Sequence, residues 1–447
     1  MKAMDIQKYS ELVRGKTFEC MDFLKGGTLT RIKEVNKREI IEGVSDDYVK
    51  RRLNTLMEYS KRNSQFYKAF WEAQDIKELP VMDPKQYQNF FRDIMCDNYK
   101  KGKKGKQAFP LKIVGTVGVP LTIYCDRDKL HRVKMNYKTV LELAGHTQGK
   151  RLAETVIIGK DDQRYSSLEK FENNSLYLDG EHLGEEYLKK VCEILEKKKV
   201  RTLVAYASFL NFFLPFIEKR MGESKSWNLE RILVLGEGLS DSVYQMTKDL
   251  LGFYPMKSYG DMDRGFMALQ LKPHGDYVVD LYNYHVEILS LDSNESVEEG
   301  KLGRIVITDY YNRAFPTLRY DTGDTGIMRT YYDEAGRKHA LLTALYAKRG
   351  AVLYDTKSNP ISVAAFSNIL NNFEGRILQA KCIQLEKTKY EVLVVAQEDE
   401  VNRWEIVSAY EKLLGLDAQI GVTYNREIQD VLYDKSMICE NLCMDYR

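Results

Sequence analysis

The stretch TLVAYASFLNFFLPFIEKRMGESKSWNLERILVLGEGLS, from Thr202 to Ser240, alternates between two kinds of apolar segment. TLVAY and RILVL are short apolar runs of the kind that form buried strands, and the longer apolar segment that begins at Ser208 predicts a helix between them. A strand, a helix and a second strand in this order predict a βαβ unit with parallel strands. Ligands of such sheets bind beyond the carboxyl ends of the strands, so the loops after Leu235 and around Tyr259 are candidate sites.

The segments on both sides of this stretch continue the alternation. TVIIG at Thr155–Gly159 predicts a buried strand, and the apolar spacing over 185–198 predicts a helix. Ser240 can cap a further helix that ends at Gly252. Apolar residues at helical spacing also predict a helix over 46–70. The centre of the chain is therefore predicted to form a mostly parallel sheet with helices packed against it.

The pattern changes after about residue 276. YNYHVEILS and GRIVITDY predict alternating strands, and the last hundred residues contain a predicted strand at Tyr390–Ala396 and a predicted helix at Asn402–Leu414. The predicted fold class is therefore α/β, with a large N-terminal domain of mixed or parallel sheets and flanking helices. A small, mobile α+β domain follows it. We place the two domains at residues 1–346 and 347–447.

Composition excludes several classes of protein. The 447 residues include 67 Lys and Arg against 65 Asp and Glu, and the resulting net charge of +2 lacks the basic field of a nucleic-acid binder. The longest apolar run, Phe209–Ile217, is too short to span a membrane, and the N-terminus has no apolar core of a secretory signal. Seven scattered cysteines without a CxxC pair indicate reduced thiols. We therefore expect a cytoplasmic monomer or homodimer.

Three segments remain as candidates for chemistry, because the sequence contains no P-loop, no GxGxxG, no GxSxG and no HExxH motif. They are GTVGVPLTIY at Gly115–Tyr124, SYGDMDRG at Ser258–Gly265 and LRYDTGDTG at Leu318–Gly326. Taken singly, they also suit a tight hairpin, a solvated turn and a structural β-turn. Their order along the chain makes the combination more informative than any one of them.

In this order the segments resemble those of the adenylate-forming superfamily, in particular the branch of phenylacetate–CoA ligases and capsule-biosynthesis CapK-type proteins. The resemblance extends over nearly the whole chain. It includes Asn63–Phe91, the stretch VLGEGLSDSVYQMTKDLLG at Val234–Gly252, and HVEIL at His285–Leu289. LRYDTGD, which resembles the family's RYxTGD motif, is the most specific match.

The resemblance implies an ATP-dependent ligase. In this family a carboxylic acid attacks the α-phosphate of ATP, an acyl adenylate forms and pyrophosphate leaves. The acyl group then passes to an acceptor, which is CoA, an amine, a hydroxyl or the thiol of a carrier protein. Mg²⁺ shields the phosphates, and a lysine stabilises the oxyanions in transit.

The resemblance also implies roles for individual residues. Gly115, Thr116 and Gly118 would surround the β- and γ-phosphates, and Tyr259 and Gly260 would flank the adenine and the α-phosphate. Asp324 would bind the ribose hydroxyls, and Asp263 would stand where the family has its metal-associated glutamate. Lys348 or Arg349 would occupy the hinge, and Lys435 would be the catalytic lysine. Glu237, beside the presumed acyl pocket, would orient a polar substrate or a metal-bound water, or it would cap the following helix instead. The acyl pocket would involve Tyr206, Phe209, Gly236 and Gly238, although aromatic residues on a helix face more often belong to a plain core.

The phosphate loop departs from the family pattern, and this departure keeps other functions open. The family has SSGSTG, whereas this chain has IVGTVG at Ile113–Gly118, in which most of the hydroxyl side chains are replaced by apolar ones. A degenerate relative that binds a nucleotide or acyl ligand without turnover, or that acts as a scaffold, is the first alternative. An unrelated α/β transferase that shares only turns with the family is the second.

The Lys435→Ala substitution separates the two half-reactions that the family assignment implies. An ammonium at this position would stabilise negative charge mainly in the transition state of adenylation, so adenylation should fall roughly a hundredfold or more while ATP binding persists. Transfer from a preformed adenylate should continue, because that step uses another orientation of the small domain. Pyrophosphate exchange and acyl transfer measured on one preparation test this expectation. Equal loss of both would indicate misfolding, and loss of neither would show that Lys435 is not the catalytic lysine.

Overall fold

The computed structural model describes residues 2–100, 106–113, 121–156, 171–179, 185–219, 227–235, 239, 241–261, 265–346, 353–358, 360–361, 369, 373, 376–396, 401–425 and 439–443. Within these residues the helices are α1 (Lys2–Leu24), α2 (Thr28–Glu42), α3 (Asp46–Asn63), α4 (Gln65–Lys68), α5 (Pro84–Asn89), α6 (Phe91–Ile94), α7 (Asp97–Lys100), α8 (Arg127–Leu143), α9 (Glu185–Lys197), α10 (Ala207–Glu218), α11 (Asp241–Leu251) and α12 (Arg403–Leu414). No helix in this part of the chain is both long enough and apolar enough to cross a membrane.

The strands of the same residues are β1 (Phe109–Ile113), β2 (Leu121–Cys125), β3 (Leu152–Val156), β4 (Ser175–Asp179), β5 (Thr202–Tyr206), β6 (Arg231–Leu235), β7 (Met256–Asp261), β8 (Gly265–Gln270), β9 (Tyr277–Val279), β10 (Tyr284–Leu289), β11 (Leu302–Asp309), β12 (Tyr320–Tyr332), β13 (Lys338–Tyr346), β14 (Leu353–Tyr354), β15 (Pro360–Ile361), β16 (Ile377–Glu386), β17 (Lys389–Ala396), β18 (Gln419–Tyr424) and β19 (Cys439–Asn441).

Eleven of these strands form one mixed sheet in the order β10-β11-β12-β13-β9-β8-β7-β6-β5-β3-β4. The strands from β4 to β7 pair in parallel, and every pairing from β7 onward is antiparallel. The expectation of a mostly parallel sheet therefore holds for one half only, while the broader α/β class with mixed sheets is confirmed. The change of direction occurs at β7, which carries Tyr259.

The parallel half is apolar because helices cover both of its faces. Leu203 and Ala205 of β5 pack in a core with α9, α10 and α11, whereas Val204 between them packs on the other face with α2 and α8. Strands that are buried on both faces read as continuous apolar runs, as TLVAY and RILVL do. Helices α9, α10 and α11 confirm the three helices that the sequence predicted in this region. Gly252 ends α11 with a φ of 83°.

Two sequence-based boundaries are corrected by the structure. The helix predicted over 46–70 is interrupted at Ser64, whose backbone is extended and whose hydroxyl accepts a hydrogen bond from the Tyr67 amide, so that α4 begins anew. The strand predicted at Thr155–Gly159 begins three residues earlier, at Leu152, and residues 157–159 lie outside the described residues. In both cases a local apolar pattern was correct in kind but not in its limits.

The small α+β unit at the C-terminal end of the chain has its own sheet and core. Its four strands lie in the order β18-β17-β16-β19, and α12 packs beside them with Ile406, Tyr410 and Leu414 buried. Asn402 caps this helix, and Gly415 follows it with a φ of 121°. Residues from Leu353 onward make up the hydrophobic core of the unit. The boundary between residues 346 and 347 remains a prediction, because the described residues stop there.

Arg319 and Glu287 form a buried ion pair at the start of β12. Their side chains are 3% and 6% exposed, and both guanidinium–carboxylate contacts are short, at 3.0 and 3.2 Å. The same guanidinium donates to the carbonyl oxygens of Lys77 and Leu79, each at 2.9 Å. Burial raises the pKa of Glu287, and Arg319 opposes that shift. One side chain thus ties an N-terminal segment to two strands of the antiparallel half.

The Glu287→Gln substitution tests this ion pair. It removes the charge that compensates the buried guanidinium, and loss of one partner of a buried pair costs about 3–5 kcal/mol. The matched control is Glu386→Gln, which breaks the exposed contact with Lys389 at 3.3 Å and should cost about 0–1 kcal/mol. Urea denaturation followed by circular dichroism gives both values. Equal shifts in the two midpoints would contradict the role assigned to the buried pair.

Candidate functional site

The carboxyl ends of the parallel strands form one edge of the sheet. Tyr206, the last residue of β5, lies opposite Leu235, the last residue of β6. Strand β7 continues this row, because Leu233 pairs with Met256. Leu235 and the end of β7 near Tyr259 therefore lie at the same edge, which is where the sequence placed the candidate sites.

Asp324 lies in a bulge of β12. Arg304 pairs with Thr325, and Val306 pairs with Asp321, so a single residue of β11 lies opposite the three residues 322–324 of β12. Gly323 adopts a φ of 75°, which glycine tolerates at such positions. The TGD sequence is thus a bulge inside a continuous strand and not a turn between two strands. Bulges of this kind re-aim side chains.

The carboxylate of Asp324 contacts Tyr259, which lies at the end of the parallel half of the sheet. The Tyr259 hydroxyl donates a hydrogen bond of 2.8 Å to Oδ2 of Asp324 and lies 3.3 Å from the Thr322 hydroxyl. Tyr259 is buried, and Asp324 is half-buried. The structure therefore brings together two predicted site residues that are 65 positions apart.

Curvature of the sheet makes this contact possible. Strands β8, β9 and β13 lie between β7 and β12, and neighbouring strands are about 4.8 Å apart, so a flat sheet would separate β7 and β12 by roughly 19 Å. The observed contact requires the antiparallel half to curl back toward β7. Buried side chains of β7, β8 and β10–β13 fill the interior in a single core.

The Thr322 hydroxyl stabilises the bulge through two hydrogen bonds to the backbone. Its hydroxyl donates to the Ile305 carbonyl at 2.8 Å and accepts from the Asp324 amide at 3.1 Å. Thr322 was not among the residues predicted from sequence, although a hydroxyl two residues before an aspartate is a recognisable local capping pattern. Thr322 is best described as a positioning residue for Asp324.

Other residues of the LRYDTGD segment hold the fold. Asp321 forms an ion pair of 2.6 Å with Arg304, and both side chains are largely buried. Arg319 is engaged by Glu287, as described above. Of the two aspartates that the sequence placed in this segment, only Asp324 reaches Tyr259.

The β7–β8 hairpin that carries Tyr259 and Gly260 is tightly constrained. Gly260 has a φ of 125°, and a Cβ there would lie 2.7 Å from the Phe266 Cα. Asn136 of α8 accepts a hydrogen bond from the Phe266 amide at 2.7 Å and donates to the Asp280 carboxylate at 3.0 Å. The site thus depends on glycine at position 260 for a steric reason, independent of any ligand.

Asp280 anchors this hairpin to the rest of the domain. Its carboxylate accepts hydrogen bonds from the amides of Tyr282 and Asn283, and from the side chains of Asn136 and Asn283. Burial raises the pKa of Asp280 to about 6. Four N–H donors favour the ionised form, so this carboxylate serves as a charged structural tie near neutral pH.

The two predicted acyl-pocket residues that the structure describes have different surroundings. Tyr206 is half-buried at the carboxyl edge, next to the end of β6. Phe209 is 0% exposed and stacks on Phe213 with ring centroids 5.3 Å apart. The burial of Phe209 favours the core role that the sequence analysis kept as its alternative.

The remaining predicted residues lie outside the described residues, and their roles stay predictions. They are Gly115, Thr116, Gly118, Gly236, Glu237, Gly238, Asp263, Lys348, Arg349 and Lys435. Within the described ranges, no group of His, Cys, Asp and Glu side chains is arranged to hold a metal ion. The described site therefore consists of Tyr259, Gly260, Thr322 and Asp324, with Tyr206 along the same edge.

Comparison with known proteins identifies the fold. No protein-family model matches the sequence, and no curated protein matches it. Among solved structures, 2-hydroxyisobutyryl-CoA ligase in the postadenylation state in complex with 2-HIB-AMP has a TM-score of 0.69 at 12% identity, with 90% of this chain and 91% of that chain covered.

Two further structures are similar over a smaller share of the chain. Anthranilate CoA ligase AuaEII in complex with anthranoyl-AMP has a TM-score of 0.51 at 12% identity, covering 75% of this chain and 67% of that one. Amide bond synthetase McbA from Marinactinospora thermotolerans has a TM-score of 0.50 at 15% identity, covering 71% and 66%. The protein therefore has the fold of adenylate-forming ligases.

The contact between Tyr259 and Asp324 predicts coupled effects on ATP binding. Asp324→Ala should weaken binding about tenfold or more, because a charge-assisted hydrogen bond contributes roughly 1.5–3 kcal/mol. Tyr259→Phe should weaken it less, and the double variant should be no worse than Asp324→Ala, because the hydroxyl acts through the carboxylate. Calorimetric titration with ATP measures all three.

The control for these variants is Asp292→Ala, which removes an exposed carboxylate between β10 and β11 and should leave ATP affinity unchanged. Additive losses in the double variant would contradict the coupling. Unchanged affinity in Asp324→Ala would remove this residue from the nucleotide site.

Proposed function

We propose that the protein is an ATP-dependent ligase that adenylates a carboxylic acid and transfers the acyl group to an acceptor. The observation that carries this proposal is the hydrogen bond of 2.8 Å between the Tyr259 hydroxyl and the Asp324 carboxylate. It joins the two motifs whose resemblance suggested a nucleotide site, at the sheet edge where α/β proteins bind ligands. The fold shared with adenylate-forming ligases supports the same function.

In this proposal Asp324 binds the ribose and Tyr259 positions it. A carboxylate accepts hydrogen bonds at two oxygens, and such charge-assisted bonds to hydroxyl groups are strong. The tyrosine hydroxyl and the Thr322 bulge hold the carboxylate in one orientation before the nucleotide arrives. Preorganisation of this kind reduces the entropy that binding must offset.

The other residues of the nucleotide site are proposed from sequence. Gly115, Thr116 and Gly118 would bind the β- and γ-phosphates, and Gly260 would border the α-phosphate. Glu237 and either Lys348 or Arg349 would form other parts of the nucleotide site. Lys435 would stabilise the oxyanions during adenylation. Mg²⁺, when bound near Asp263, would neutralise phosphate charge. Asp263 is a hard oxygen ligand of the type that Mg²⁺ prefers.

The acyl pocket and the acceptor define the finer assignment. Tyr206 at the carboxyl edge, with Gly236 and Gly238 after β6, would border the acyl group, and Phe209 would support that wall from the core. We propose that the protein belongs with phenylacetate–CoA ligases and CapK-type proteins. CoA is the first candidate acceptor and a carrier-protein thiol the second. One similar structure is described with 2-HIB-AMP and CoA, which makes CoA a reasonable first compound to test.

A binding protein without turnover is the second candidate function. The segment IVGTVG supports it, since Val114 and Val117 stand where the family has hydroxyl residues. Backbone N–H groups there could still hold an anion, but fewer side chains would bind the phosphates during transfer. This candidate predicts ATP binding without pyrophosphate exchange.

Pyrophosphate exchange distinguishes the two functions. The full-length protein is incubated with ATP, Mg²⁺, labelled pyrophosphate and a panel of aromatic and medium-length carboxylic acids. A ligase should exchange label only when its acid is present, and Asp324→Ala should reduce that rate about tenfold or more. Asp292→Ala serves as the matched control. ATP binding without exchange for any acid would contradict the ligase and support the binding protein.

Mass spectrometry of the purified protein supplies an independent readout. A co-purified acyl adenylate would identify the acid and so choose the substrate for the exchange experiment. Addition of CoA to that complex should then release the acyl group if CoA is the acceptor.

A further inference from the structure

A surface groove with a volume of about 630 Å³ lies between α3, α7 and the N-terminal end of α8. Tyr59 and Tyr99 contribute its aromatic surface. Three cationic side chains also line it, from Lys106, Arg127 and Arg313. The mixture of aromatic faces and positive charge is a typical surrounding for an organic anion.

None of the residues that line the groove is among those predicted to bind the nucleotide. Its residues adjoin the end of the β1–β2 hairpin at which Phe109 pairs with Cys125. Residues 114–120, which include the predicted phosphate loop, continue from the other end, at the pair Ile113 and Leu121. The strands between these ends span about 13 Å, at about 3.3 Å per residue.

The three cations have no carboxylate partner among the residues that the structure describes. Arg127 donates to the Gln107 side chain at 3.3 Å, and the Arg313 guanidinium lies 4.6 Å from the centroid of the Tyr59 ring. Lys106 and Arg127 are exposed. Their positive charges are therefore available to a ligand.

The two carboxylates that line the groove are already engaged. Asp126 is buried, and its two oxygens accept hydrogen bonds from the amides of Lys129 and Arg313, at 2.9 and 2.7 Å. Asp128 forms an ion pair with Arg132 at 2.9 Å. Arg132 offsets the charge of Asp128, whereas Asp126 keeps its negative charge, so the three cations face one uncompensated carboxylate and stay in excess.

We propose that this groove binds the phosphate monoester of an organic molecule. A phosphate monoester carries up to two negative charges and presents several acceptor oxygens, which suits a groove lined by an excess of cations better than a single carboxylate does. The organic part would lie against the tyrosine rings. Burial raises the pKa of Tyr99 to about 12, so its hydroxyl remains a donor at neutral pH. The proposal does not depend on adenylation, and only if CoA is the ligand does it rest on the proposed function, because the groove would then bind the acceptor.

Two pairs of compounds test the proposal by calorimetry on the full-length protein with ATP present at saturation. CoA is compared with dephospho-CoA, and a hexose monophosphate with the free hexose, so each pair differs by one phosphate monoester. In at least one pair the phosphorylated member should bind about tenfold or more tightly than its partner. The pair whose two members differ in affinity shows whether the bound phosphate belongs to a CoA-like or a sugar-like molecule. Equal affinities within both pairs would overturn the proposal.

Charge reversal locates the binding site. Lys106→Glu combined with Arg127→Glu should reduce the affinity for the phosphorylated compound about tenfold or more, because attraction becomes repulsion. The matched control is Arg403→Glu. Arg403 is the exposed first residue of α12, just as Arg127 is the exposed first residue of α8, and an acid is favourable at both positions. The control should bind normally.

Two results would place the phosphate elsewhere and overturn the proposal. One is unchanged affinity in the charge-reversed variant, and the other is binding of the phosphorylated compound that occurs only when ATP is left out of the titration. Circular dichroism of each variant confirms folding. Loss of pyrophosphate exchange alone would contradict the ligase and leave this test unaffected.

Discussion

The buried guanidinium of Arg319 is the interaction on which the arrangement of the large domain depends. It neutralises Glu287 in β10 and holds the carbonyl oxygens of Lys77 and Leu79, so that it joins three segments far apart in sequence. Its backbone adopts a φ of 50°, a costly conformation for a residue with a side chain. The contacts around it compensate for that cost.

The curvature of the antiparallel half creates the site. Parallel strands deliver Tyr259 to the carboxyl edge, as in other α/β proteins. The antiparallel strands continue from β7, curl around a shared core and return Asp324 to the same place. Helices cover the parallel half on both faces. The site forms where this half joins the antiparallel half, because Tyr259 belongs to β7 and Asp324 to β12.

The most specific sequence motif has a double role. In LRYDTGD, Arg319 and Asp321 are buried in ion pairs that stabilise the fold, and Thr322 and Gly323 shape the bulge. Only Asp324 is directed toward Tyr259. A motif can therefore be a reliable sign of a fold even when most of its residues would never touch a ligand.

The sequence alone was sufficient for elements whose signal is local. TLVAY and RILVL became buried strands, and the helices around them formed because apolar periodicity and capping residues act within a few positions. Tertiary structure alone decided what depends on distant partners. The antiparallel pairing of half the sheet, the burial of Phe209 and the break at Ser64 are of this kind. The separation of Asp321 from Asp324 is decided in the same way, since Arg304 neutralises one aspartate and a bulge re-aims the other, and neither partner is visible in the spacing of the chain.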